Sequence, residues 1–223
     1  MEMDRMKTSL KNTPKSYFFI FMIGIAVGCI CRLADYFPAE TLWGFSSIQT
    51  LLGFWIITNT MVVMLSSSYL CAGLSSFLYM FGMTLSFYGL KAILGLFIPK
   101  FSGGFNTGLF IMFTIAAIPC AIAAMILYAW NKDNLFNSVL YALPVGALFA
   151  EAFATTIFLF VFHQYLFQVL MDAIGIVVFG IIFWRKAKSK ILYILSIGIT
   201  SALFYFIMWH QELMYWLQNP ELL

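Results

Sequence analysis

The chain is 223 residues long, 63% apolar and only 9% charged, with a net charge of +3. Ordinary globular domains are about 45–50% apolar and about 25% charged, so a water-soluble domain of this length is excluded. A helix needs about 20 apolar residues to cross a bilayer, which gives this chain material for about seven crossings with little left over.

The apolar runs are continuous and too long for the short alternating strands of a membrane barrel. The expected fold is therefore all-α, a polytopic transmembrane helix bundle. The few basic residues make no continuous face, and no nucleic-acid partner is expected. Cys29, Cys31, Cys71 and Cys120 lie in apolar runs without a C-x-x-C spacing. They read as small hydrophobic residues, and neither a metal nor a cofactor is expected.

In chain order, residues 1–15 form a basic segment carrying Arg5, Lys7, Lys11 and Lys15. The apolar run behind it lacks a small-x-small cleavage site, so it is expected to remain as an uncleaved anchor helix. The expected spans are about residues 16–34, 45–65, 69–90, 107–130, 138–162, 165–184 and 191–209. They form one bundle over residues 16–210, followed by a short interfacial tail, 211–223. Pro38, the serines at 66–68, and residues 99–104, 131–134, 163–164 and 185–190 mark the breaks. From Tyr69 to Ile98 a helix would be about 45 Å long. Residues 92–98 are therefore expected to be interfacial or re-entrant, with Lys91 reaching toward the headgroups. Met208 to Leu217 is expected to prolong the last span at headgroup level. A count of six follows if one of the weaker segments re-enters the bilayer instead of crossing it.

Basic residues set the expected orientation. With the N-terminus in the cytoplasm, the inner side holds Arg5, Lys7, Lys11, Lys15, Lys132, Arg185, Lys186, Lys188 and Lys190. The outer side holds Arg32, Lys91 and Lys100. Seven spans then place the C-terminus, with Glu212 and Glu221, outside. Tyr36, Trp43, Trp209 and Trp216 fall at the outer interface, and Tyr17, Tyr69, Trp130 and Trp184 at the inner one. The basic run from Arg185 to Lys190 serves this orientation and could also meet anionic lipid headgroups.

Small residues allow close helix approach in lipid. Gly24-x-x-x-Gly28, Gly82-x-x-x-Ser86 and Gly146-x-x-x-Ala150 are expected to pack inside the bundle, with dimerisation as the alternative. Pro119 and Pro144 fall within spans and are expected to kink them.

Charge inside the bilayer is costly and calls for a partner. Glu151 and Asp172 lie about 18 and 14 Å from the turn at His163 on adjacent antiparallel helices. Both therefore reach the middle of the bilayer and could share one site. Gln164, Gln168 and Asp172 recur every four residues, and Glu151 and Thr155 make a matching pair. Two carboxylates in low dielectric do not both ionise readily, so at least one is expected to hold a proton. The alternative is two acids satisfied separately by groups such as Thr58, Asn59, Thr60, Ser86 and Thr114. At the outer mouth, Arg32, Asp35, Glu40, Trp43 and Gln49 form a second polar cluster. It is either an ion pair between Arg32 and Asp35 or an entrance where Arg32 meets an anionic solute. His163 and His210 are isolated and make no metal site.

Intramembrane proteolysis would need adjacent glutamates with paired histidines, or a serine motif with a histidine in the membrane; Ala150-Glu151-Ala152 offers one acid. A carrier built as three plus one plus three spans should show two similar halves, and the first and last three spans share no motif. The leading expectation is a small-solute transporter, or the membrane-embedded substrate-binding subunit of one, with a proton or cation site at the midplane. Glu151, Asp172, Gln168, Thr155, Arg32 and Asp35 are its candidate residues. The alternatives are a non-catalytic accessory or assembly subunit of a membrane complex, and an intramembrane enzyme acting on a lipid-linked substrate. The expected partners are the lipid bilayer, a small solute or ion, and a membrane-protein partner or a second copy. The expected location is a bacterial plasma membrane.

Overall fold

The computed structural model describes residues 10–37, 41–101 and 103–218, apart from the Gln49 side chain. Arg5, Lys7, Pro38, Glu40, Ser102 and Glu221, and the side-chain role considered for Gln49, lie outside the described residues. Among those described there is no strand, only one isolated bridge between Leu10 and Ser66. The protein is an all-α helical membrane protein. Among the described residues six helices are long and apolar enough to cross a bilayer: Pro14–Ala34, Tyr69–Leu94, Thr107–Asn131, Phe136–Phe162, Leu166–Lys186 and Lys190–Gln218. Their exposed faces are apolar, as with Ile111, Ile115, Ile118 and Ile122, a surface that suits lipid and not water.

Local chemistry starts the helices. α1 (Pro14–Ala34) begins with Pro14 behind Thr13, whose hydroxyl accepts from Ser16 N at 3.3 Å. Ser68 does the same for Cys71 N at 3.1 Å at the head of α3 (Tyr69–Leu94). Asn106 serves Leu109 N at 3.0 Å at α4 (Thr107–Leu127). Each supplies a side-chain acceptor to an N–H that the helix leaves unpaired. α4 and α5 (Phe136–Phe162) run unbroken through Pro119 and Pro144. α6 (Leu166–Lys186) and α7 (Lys190–Phe204) follow, and a π turn at Tyr205–Trp209 carries α7 into α8 (His210–Gln218).

The expected second span differs. It is broken into a 3-10 turn, Phe45–Gln49, and a helix α2, Leu52–Leu65, of 14 residues. That is about 21 Å of α-helix, short of the roughly 30 Å hydrocarbon layer. The cause is local: Ser47 Oγ donates to Gly44 O at 2.5 Å and Thr50 Oγ1 to Ser47 O at 3.1 Å. Such side-chain bonds to nearby carbonyls compete with a continuing helix. The third span also differs at its end. α3 continues through Lys91 to Leu94, and Gly95 N closes it on Lys91 O at 2.9 Å. Residues 92–98 are thus the last turn of a helix and a tight turn, not a separate re-entrant piece.

The chain forms two compact units, Met1–Tyr36 with Thr58–Ala129, and Phe37–Ile57 with Trp130–Leu223. In the first, α1 and α3 run parallel. Leu10 meets Leu65 and Cys71 at one end, Gly24 meets Tyr79, Gly28 meets Met83, and Arg32 bonds Phe87 O at the other. Parallel neighbours require the chain between them to return. α4 is antiparallel to α3, with Gly73 against Met125 and Phe81 against Phe110. In the second unit α5 and α6 are antiparallel, with Tyr141 against Phe183 and Phe158 against Tyr165. α7 then lies parallel to α5: Ser189 N bonds Ser138 Oγ at 2.9 Å, Gly146 meets Thr200, and Phe153 meets Tyr205.

Both triplets therefore pack their first helix parallel to their third, although they share no sequence motif. The glycines explain how. A methyl group at Gly24, Gly28 or Gly82 would lie 2.2, 2.1 or 2.5 Å from a backbone oxygen of the partner helix. At Gly146 it would lie 2.7 Å from Thr200 Cβ. These motifs pack inside the protein.

Candidate functional site

Glu151, Gln168 and Asp172 form one hydrogen-bonded group in the second unit. Gln168 Nε2 donates to Glu151 Oε1 at 2.8 Å and to Asp172 Oδ1 at 2.9 Å, so one amide joins both acids. The four-residue spacing on α6 puts Gln168 and Asp172 on one face, and α5 brings Glu151 opposite. All three are out of reach of solvent, at 1%, 0% and 0% exposure.

A further donor comes from a residue that helix periodicity does not single out. Gly53 N, at the start of α2, donates to Glu151 Oε1 at 2.7 Å. The unpaired N–H groups and positive dipole end of a helix N-terminus favour an anion there. Gly53 is also pressed onto the group: a Cβ would lie 2.0 Å from Asp172 Oδ1 and 2.5 Å from Gln168 Nε2. The polar stretch Ser46-Ser47-Ile48-Gln49-Thr50, three residues before Gly53, signals a break in the span but does not point to Gly53 itself.

Three oxygens of the group, Glu151 Oε2, Gln168 Oε1 and Asp172 Oδ2, are buried and make no hydrogen bond within the protein. Buried polar atoms are nearly always paired, so three acceptors in one cluster mark a place suited to a proton or a hard cation.

The other candidate residues fall differently. Thr155 is buried behind Glu151 but turns back to its own helix, donating to Glu151 O at 2.8 Å. Gln164 is buried in the turn before α6, outside the stripe that Gln168 and Asp172 continue. Asn59 accepts from Ser76 at 2.5 Å, while Ser86 and Thr114 bond the carbonyls of Met83 and Phe110; Thr60 is buried. Arg32 and Asp35 lie in the first unit and pair with each other. Arg32 also donates from Nε to Phe87 O at 3.0 Å, and its guanidinium lies 3.5 Å from the centroid of the Phe87 ring. This buried arginine is held by the ends of α1 and α3. Among the described residues no three of His, Cys, Asp and Glu gather as a metal site.

The fold and this site define a multi-pass helical membrane protein with an acid–amide cluster buried among its helices. No protein-family model, no curated protein and no solved structure matches the chain.

Proposed function

We propose that the protein is a small-solute transporter, or the membrane-embedded substrate-binding subunit of one, and that Glu151, Gln168 and Asp172 form its proton or monovalent-cation site. The observation that carries this is the joining of two buried carboxyl groups by a single amide, with three acceptor oxygens left without a donor. Two adjacent charges in a dry interior are strongly disfavoured, so the pair works with one proton or cation between them. Two features of the fold support it. Transporters are commonly built from repeated helix sets, and their sites use broken helices whose ends point at charged groups. Here both triplets repeat one pairing, and the broken second span aims an N-terminus at Glu151. The distribution of Lys and Arg supports a cytoplasmic N-terminus and an outer C-terminus, and the short loops suit a bacterial plasma membrane.

One observation favours the accessory-subunit alternative: the acids are fully enclosed, as a purely structural network would be. Uptake separates the two. Vesicles carrying the protein are given a mixture of amino acids, sugars, nucleosides and vitamins under an inward proton gradient, and their contents are read by mass spectrometry. Accumulation of a solute that is lost in both E151Q and D172N, with each variant still inserted and folded, is the expected result. Uptake unchanged in both variants would remove the coupled site.

A further inference from the structure

The segment from Thr41 to Gly53 is fastened to α5 and α6 at three points. At its start, Leu42 O and Trp43 O accept from Leu166 N at 2.9 Å and Phe167 N at 3.3 Å. These are first-turn donors of α6 that no side chain caps. Next, Gly44 sits at φ 56° against Tyr165, where a Cβ would come within 3.1 Å of the ring. Phe45 stacks on Trp43 at 5.8 Å and meets Phe167 at 5.1 Å. The turn that receives the segment is itself unusual, with His163 and Tyr165 both in the left-handed region at φ 56° and 67°, conformations non-glycine residues hold only when their surroundings impose them. At the segment's end, Gly53 N grips Glu151 Oε1 and Gly53 lies directly on Asp172 and Gln168.

The first two attachments are backbone bonds and ring contacts, indifferent to protonation. The third is a bond to a carboxyl group. A carboxylate accepts about twice as strongly as a neutral acid and gains from the helix dipole as well. The titratable group facing Glu151 is Asp172 on α6. Against Glu151, α2 presents the Gly53 N–H. α7 meets α5 through Ile197, Thr200 and Tyr205. His163 is twelve residues further along α5, about 18 Å away.

We propose that Thr41–Gly53 is a proton-released lid on the acid pair: the Glu151 carboxylate holds it shut through Gly53 N–H, and a proton taken up at Oε2 lets the start of α2 withdraw from Asp172 and Gln168. The lid rests on the transport function proposed above and gives the site its access step.

Hydrogen exchange on the full-length protein in lipid nanodiscs, followed by mass spectrometry, tests this without knowledge of the solute. With intrinsic rates corrected for pH, peptides spanning 41–53 should exchange about tenfold faster in E151Q than in wild type, and D172N should stay within about twofold of wild type. Equal behaviour of E151Q and D172N overturns the proposal. Peptides of α3, in the other unit, report global loss of structure. If E151Q raises those as well, the wild-type titration decides. Exchange of 41–53 rising about tenfold toward mildly acidic pH, with α3 unchanged, supports the lid, and a flat profile overturns it. Uptake lost in the acid variants without any change in lid exchange would leave the coupled site standing and remove the lid alone.

Discussion

Gly53 carries no side chain, and the acid pair occupies the space one would take. G53A would drive a methyl group into Asp172 and Gln168, so the expected cost is about 1–3 kcal/mol of stability, together with loss of uptake. Gly180 and Gly198 lie in α6 and α7 with nothing near their Cβ positions. There alanine should be neutral or stabilising by about 0.5–1 kcal/mol. Thermal unfolding in detergent separates the two cases, and equal shifts at Gly53 and Gly180 would contradict the close approach. Q168L removes the amide that both acids share. It should destabilise by about 1–3 kcal/mol, because Asp172 Oδ1 then loses its donor while Glu151 Oε1 keeps the Gly53 N–H, and D172N should cost less. Periodicity along α6 was enough to place Gln168 with Asp172, and turn geometry was enough to place Glu151 opposite. Gly53 was not legible, because its role depends on where a chain segment about a hundred residues away in sequence comes to rest.

Among the helices, the small-residue motifs admitted two uses that sequence alone left equal. The close contacts of Gly24 and Gly28 with α3 assign them to internal packing. G28L should therefore lower the unfolding temperature sharply by separating α1 from α3, with native mass spectrometry showing no selective loss of a dimer. A well-folded variant whose only change is oligomeric state would reverse that assignment. α2 shows the opposite limit. Its residues are apolar enough for a span, but Ser47 and Thr50 bond backward to carbonyls and end the helical run before Leu52. Hydropathy averages over such side chains and does not register a break of two residues. At the far end of the protein the same averaging was harmless: the expected extension of the last span toward Leu217 is a helix reaching Gln218.

The parallel pairing of α1 with α3, and of α5 with α7, has a consequence for topology. With the orientation proposed above, seven crossings put Asp133 and Lys188, which form an ion pair at 3.0 Å, on the cytoplasmic side, and the exposed His163 and Gln211 on the other. In a variant lacking the four native cysteines, D133C and K188C should then react with an impermeant maleimide from the cytoplasmic face only, and H163C and Q211C from outside only. Labelling of H163C and D133C from one face would break the crossing count. Composition and the length of the apolar runs were sufficient to establish a helical bundle in a membrane, because burying backbone polar groups in lipid leaves few other structures open to such a chain. The candidate acids were equally visible, since a charge in an apolar run stands out wherever the helix lies. Pairing between helices in lipid is set by close contacts a few ångströms wide and carries almost no compositional signal. The repeated triplets, the broken second span and the glycine resting on the acids therefore emerged only when the chain was folded.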